Sequence, residues 1–119
     1  DVFYNSAVGM LADFEMQRFG NSAALGDADN TARYTVCDLL ILDDLGTELT
    51  NQFTLSVLYT VINTRMNLDR ATIISTNLPA AELRRVYNDR ITSRLFGEFK
   101  PIPFSGIDIR RQKIEPKKR

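Results

Sequence analysis

No histidine occurs among the 119 residues, and the lysines are confined to Lys100, Lys113, Lys117 and Lys118. The first absence removes Ser-His and Cys-His nucleophile pairs, together with every histidine-ligated metal site. The second removes a phosphate-binding loop of the GxxxxGK[ST] kind, because no lysine follows a glycine. A single cysteine, Cys37, allows no internal disulfide and points to a reducing, cytoplasmic compartment. No apolar run approaches the roughly eighteen residues of a membrane span, and no signal peptide opens the chain. The first residue is Asp1 rather than methionine, which reads as an excerpt of a longer protein.

What is present has a globular composition: 44% hydrophobic and 25% charged residues, with fifteen bases against fifteen acids. The zero net charge hides a split. Residues 1–48 hold nine acids and two bases, a net of −7, whereas residues 49–119 hold thirteen bases and six acids, a net of +7. Such asymmetry points to two faces with different partners, or to charges that compensate one another in the fold.

Val2-Phe3-Tyr4 is β-prone. From Ser6 to Arg18, Val8, Leu11, Ala12 and Phe19 recur at helical spacing, with Ser6 as N-cap and Gly20-Asn21 as the stop. Residues 20–31 are small and polar, which predicts a loop. Leu39-Leu40-Ile41-Leu42 is too short for a helix and predicts a strand buried on both faces, ending in Asp43-Asp44. Thr50 or Asn51 caps a helix with Phe53, Val57, Leu58, Val61, Ile62 and Met66 as its apolar stripe. Ala71 to Thr76 predicts a second buried strand, followed by short helices from Pro79 to about Tyr87 and from Asp89 to about Phe96. Pro101 to Phe104 reads as a last, interrupted strand, and Lys113 to Arg119 as a basic tail. Strands alternating with helices predict an α/β fold with a parallel sheet, whose ligands sit beyond the carboxyl ends of the strands.

The unusual polar residues fall at those ends. A carboxylate closing an apolar strand can hold Mg²⁺, a hard cation that takes oxygen ligands, and a second beside it can orient the water that attacks a γ-phosphate. Asp43-Asp44 has that Walker B form; solvated acids in a βα turn are the plainer reading. Ser75-Thr76-Asn77 closes the other strand, where a polar side chain can meet a γ-phosphate or simply make a turn. Arg90 and Arg94, four apart on one helix face, suit phosphate because guanidinium stays charged and binds oxyanions through two donors. They can equally pair with Glu82, Asp89 or Glu98. Arg110-Arg111 carries the same ambiguity.

In order along the chain, DLLILDDLGTE (Asp38–Glu48), ISTNL (Ile74–Leu78), DRITSRLFG (Asp89–Gly97) and PFSGIDIRRQK (Pro103–Lys113) resemble the DnaC/DnaI/IstB group of AAA+ ATPases. These are helicase loaders of bacterial and phage replication and related transposition helper ATPases. The resemblance runs from about Phe3 to Lys113. It implies a partial AAA+ core of the P-loop NTPase type over residues 1–113, followed by a basic tail over 114–119. That core is a three-layer α/β/α fold with a mostly parallel sheet, here without the first strand and the P-loop.

The resemblance also implies roles. Asp43 matches the magnesium-coordinating Walker B aspartate, and Asp44 the adjacent catalytic acid, with Glu48 in reserve because aspartate is one methylene shorter than the usual glutamate. Asn77 matches sensor 1, with Thr76 beside it as a nucleotide contact. Arg94 matches the arginine finger that acts on a neighbouring subunit's nucleotide, with Arg90 as a second arginine, and Arg110 matches sensor 2. The implied cofactors are ATP and Mg²⁺. The implied partners are a replicative DNA helicase, single-stranded DNA and further copies of the same protein.

Arg65, Arg70, Arg84 and Arg85 are candidates for phosphate contacts with DNA, or a solvated helix face. Without the Walker A loop, the chain alone is expected neither to bind ATP tightly nor to hydrolyse it. The last strand is expected to lack its usual neighbour. Alternatives are a transposition helper ATPase of the IstB kind, a DNA- or partner-binding module without ATPase activity, and an unrelated Mg²⁺-dependent phosphohydrolase built on Asp43-Asp44.

Overall fold

The computed structural model describes residues 1–18 and 25–102. Along the chain run β1 (Val2–Ser6), α1 (Ala7–Arg18), α2 (Leu25–Val36), β2 (Leu39–Leu45), α3 (Gln52–Asn67), β3 (Ala71–Thr76), α4 (Ala80–Val86) and α5 (Asp89–Glu98). The three strands form one parallel sheet in the order β1-β2-β3. The expected stop at Gly20-Asn21, the strand through Phe104, Arg110 and the basic tail lie outside the described residues.

Because the chain steps across the sheet in one direction, right-handed crossovers place both connections on the same face. The burial agrees. Leu40 and Leu42 are fully buried and Phe3 and Ile74 pack against them, whereas Val2, Tyr4 and Ile73 on the other face are 57%, 60% and 53% exposed. Neither β2 nor β3 is therefore buried on both faces as the apolar runs predict. Among the described residues, helices cover one side only, and β3 alternates exposed and half-buried positions.

Local signals set the helix starts. The Ser6 hydroxyl accepts from the Gly9 N–H at 2.9 Å and begins α1. Asn51, rather than Thr50, caps α3 through a reciprocal pair with Thr54, each bond 2.9 Å. Asn88 caps α5 by accepting from the Ile91 N–H at 3.0 Å. In α1 the inward residues are Ala7, Met10 and Leu11, while Val8 points outward.

Helix α2 occupies residues that composition assigns to a loop. Its polar sequence is held by tertiary contacts rather than by propensity. The Tyr34 ring is fully buried between Phe3 and Phe14, with centroids 4.7 and 5.6 Å away. Its hydroxyl donates to Asp13 at 2.5 Å and accepts from the Asn5 amide at 2.6 Å. Burial, then the Asp13 hydrogen bond, push the Tyr34 phenol far above its ordinary range.

Arg65 sits in this core, fully buried. Its guanidinium donates to Tyr34 O at 3.1 Å, Ala71 O at 2.7 Å, the Thr72 hydroxyl at 2.8 Å and Cys37 Sγ at 3.4 Å. It ties the end of α2 to α3 and β3, so it cannot be the DNA contact that its charge invites. Of the other three candidates, Arg70 pairs with Asp38 at 3.2 Å, Arg85 pairs with Glu82 at 2.6 Å, and Arg84 stacks on Phe96 at 4.1 Å. No helix among the described residues is long and apolar enough to cross a membrane.

Candidate functional site

The carboxyl end of β2 carries an irregularity that positions both aspartates. Leu42 pairs with Ile74 and Leu45 pairs with Thr76, so Asp43 and Asp44 together face the single residue Ser75. Strict alternation after Leu40 and Leu42 turns position 44 into the core and Leu45 out. The extra residue reverses this: Leu45 is buried, and Asp44 is exposed with φ 60°. Aspartate is among the few residue types that enter this left-handed region readily. A bulge here re-aims a carboxylate without breaking the core.

Ser75 closes the bulge. Its hydroxyl accepts from the Asp44 N–H at 2.9 Å and donates to Asp43 Oδ1. Tyr4 of β1 donates to the other carboxylate oxygen, Asp43 Oδ2, at 2.8 Å. The Ser75 hydroxyl, then that of Tyr4, hold the Asp43 carboxyl below its ordinary range. The Asp43 hydrogen bond in turn raises the Tyr4 phenol. Ser75 and Tyr4 do not stand out in the sequence as partners of Asp43. The register does place them there, since Ser6 pairs with Asp43 and Ile73 with Ile41, leaving Tyr4 and Ser75 on the aspartate's side of the sheet.

Thr76 is engaged differently. Its hydroxyl donates to Leu45 O at 2.6 Å and accepts from the Leu78 N–H at 3.1 Å, so it stitches the strand ends together. Asn77 follows at the exposed end of β3, on the same sheet edge as the aspartates. Glu48 braces the loop after β2: one oxygen accepts from the Gly46 N–H at 2.8 Å and the other from the Tyr87 hydroxyl. Burial first and Glu48 second push the Tyr87 phenol up. Both Glu48 oxygens thus hold neighbouring groups, and Asp44 is the exposed carboxylate beside Asp43.

Gly46 lets that loop turn. Its φ is 111°, and a Cβ there meets Leu78 Cδ1 at 2.6 Å and Cγ at 2.8 Å. Gly46→Ala is expected to lower stability by about 1–3 kcal/mol, measured by chemical unfolding, through strain and overpacking together. An unchanged unfolding midpoint contradicts that packing.

Arg90 and Arg94 lie elsewhere, on α5 against α3. Arg90 stacks on Tyr59, its Cζ 4.0 Å from the ring centroid. Arg94 donates from Nε to Asn63 Oδ1 at 3.0 Å and lies 6.0 Å from the same ring centroid. Among the described residues, no hydrogen bond or ion pair joins either arginine to Asp43, Asp44 or Asn77.

The donor set suits Mg²⁺ better than a transition metal. Among the described residues, no group of three or more potential metal ligands clusters. Mg²⁺ needs only one or two carboxylates, taking its other ligands from water and substrate phosphates.

The parallel sheet with its helices matches part of a fold of the P-loop NTPase type. Here the sheet and one helical layer form part of an AAA+ fold. The family described as IstB-like ATP binding protein matches residues 1–97, and the chain belongs to it.

Solved structures agree on the fold. DnaA from Aquifex aeolicus, bound to AMPPCP, superposes with a TM-score of 0.63 and 27% identity over 81% of this chain. A DNA replication initiation factor gives 0.62 and 25% over 81%. The DnaC helicase loader gives 0.65 and 18% over 82%, a likeness of fold alone. The chain spans 29%, 28% and 58% of those three chains. No curated protein matches the sequence.

Proposed function

We propose that this chain is the Walker B to sensor 2 portion of a cytoplasmic AAA+ ATPase that couples ATP binding and hydrolysis to loading of a replicative helicase. The observation that carries the reading is the bulge at Asp43-Asp44, which presents two carboxylates at a parallel strand end, on the same sheet edge as Asn77. Membership of an ATP-binding family supports it.

In this reading Asp43 holds the cation, Asp44 orients the attacking water, and Asn77 contacts the terminal phosphate. Asp43 is the residue that would hold Mg²⁺, which would supply positive charge against the phosphates. Arg94, with Arg90, reaches the nucleotide of a second copy, which makes the active species an oligomer. Arg110 serves as the sensor 2 arginine, and Thr76 is a further nucleotide contact. Single-stranded DNA is the further partner.

The family match favours a second reading on the same chemistry, a transposition helper ATPase of the IstB kind whose partner is a transposase. Two measurements on the full-length gene product test these. ATP turnover per copy is expected to rise with protein concentration as sites complete one another, and to be lost in Arg94→Ala. Turnover independent of both overturns the shared-site reading. Affinity capture then separates the partners: a hexameric replicative helicase supports the first reading, and a transposase the second.

A further inference from the structure

The packing of α5 on α3 matches two residue pairs of equal spacing. Arg90 and Arg94 are one helical turn apart on α5, and Tyr59 and Asn63 are one turn apart on α3. They meet in register: Arg90 over the Tyr59 ring at 4.0 Å, and Arg94 Nε on Asn63 Oδ1 at 3.0 Å. Two guanidiniums thus share one aromatic ring.

This differs from the other arginine stacks. Arg33 lies over Phe3 but also pairs with Asp1 at 2.8 Å. Among the described residues, Phe96 and Phe53 each carry a single arginine, Arg84 and Arg18. Arg90 and Arg94 are two like charges held together, and among the described residues neither pairs with a carboxylate. Glu98 and Asp69 line the cleft on the far side of Arg94 without pairing with it. Arg90 and Tyr59 also wall a groove of about 540 Å³, together with Asn51, Gln52, Thr60 and Asn88. None of those four other side chains is anionic.

Like charges held close repel one another, and an incoming anion relieves that repulsion. The ring and the amide occupy one face of Arg90 and the Nε of Arg94. The Nη donors of Arg94 remain available for a bidentate oxyanion. We propose that Tyr59 and Asn63 are positioning residues that hold Arg90 and Arg94 as a preformed fork for a phosphate chain arriving from outside this chain. The inference rests on the reading in which these arginines act on a neighbouring copy's nucleotide, and it adds the residues that aim them. Holding long side chains in place before binding removes part of the ordering cost.

Tyr59 provides its own reporter. The neighbouring guanidiniums, Arg90 first and then Arg94, lower its phenol below the ordinary range. The other three tyrosines, Tyr4, Tyr34 and Tyr87, are all raised. The first tyrosine to ionise in an absorbance titration is therefore expected to be Tyr59, with Tyr59→Phe removing that step.

The test titrates the whole chain with inorganic tripolyphosphate at low salt. Binding is followed by the arginine Nε–H resonances and by the first tyrosine ionisation. The unaltered chain is expected to bind, with the Arg90 and Arg94 resonances shifting and the Tyr59 step moving to higher pH. Tyr59→Leu and Asn63→Ala are each expected to weaken binding about two- to fivefold, while Tyr59→Phe, which keeps the ring, stays near the unaltered chain.

Circular dichroism checks each variant, and Asn63→Ala carries the test if Tyr59→Leu does not fold. Binding lost in Arg90→Ala and Arg94→Ala but unchanged in Tyr59→Leu and Asn63→Ala overturns the positioning role and leaves the arginine reading standing. Binding unchanged in the arginine variants, or absent from the unaltered chain, overturns both.

Discussion

Arg65→Ala is expected to destabilise the chain by about 3 kcal/mol or more, among the largest effects open to a single substitution here. The guanidinium donates to Tyr34 O and Ala71 O, and alanine removes both of these donors. It also leaves a cavity where a long side chain lay fully buried. For a domain of this size that corresponds to a fall in melting temperature of roughly 12–24 °C. Arg65→Met restores most of the volume but none of the donors, so its midpoint falls between those of the unaltered chain and alanine. Arg65→Lys also falls short, because an ammonium is a point charge and cannot reproduce the planar fork. Thermal and urea unfolding followed by circular dichroism measure the series, and an alanine variant with an unchanged midpoint refutes the assignment. A loss of nucleic-acid binding on mutating Arg65 then reports lost structure, not a lost phosphate contact.

Asp43→Asn is expected to lower ATP turnover of the full-length gene product about a hundredfold or more while leaving the fold intact. The amide keeps an oxygen for one hydroxyl and an N–H₂ for the other, so Tyr4 and Ser75 both retain a partner. The stability cost is about 1 kcal/mol or less. What is lost is the negative charge on which the cation depends. Ser75→Ala complements this: it keeps the charge but removes the hydroxyl shared by Asp43 and the Asp44 N–H, loosening the bulge.

The pH dependence has a definite sign. Because the folded Asp43 carboxyl lies below its unfolded value of about 3.9, its stabilising contribution is fully present above that value. The contribution is lost as pH falls through the lower folded value. Asp43 is thus ionised throughout the neutral range, and an activity loss between pH 5 and 7 does not come from its protonation. Turnover retained in Asp43→Asn refutes the proposed role.

Several elements are legible one residue at a time. Ser6, Asn51 and Asn88 start their helices because a short polar side chain before an apolar period satisfies free N–H groups locally. The apolar run ending in two aspartates marks β2 in the same way, since the information lies within seven residues. Helix α2 escapes such reading, because the contacts that hold Tyr34 come from β1 and α1 rather than from its own neighbours. Arg65 had a signal that charge obscured. It falls four residues after Val61 and seven after Leu58, on the buried stripe of α3.

By itself, the sequence determined the α/β character of the chain, the carboxylates at a strand end, the division of charge between the two halves and the family likeness. These rest on local pattern and on residue type. The tertiary structure alone decided which groups touch: Tyr4 and Ser75 on Asp43, Tyr34 O on Arg65, and Asn63 on Arg94. Those partners stand 31 to 39 residues apart in the chain. They meet only because strand register and helix packing bring them together, and a shift of one residue in either would turn each side chain to another face.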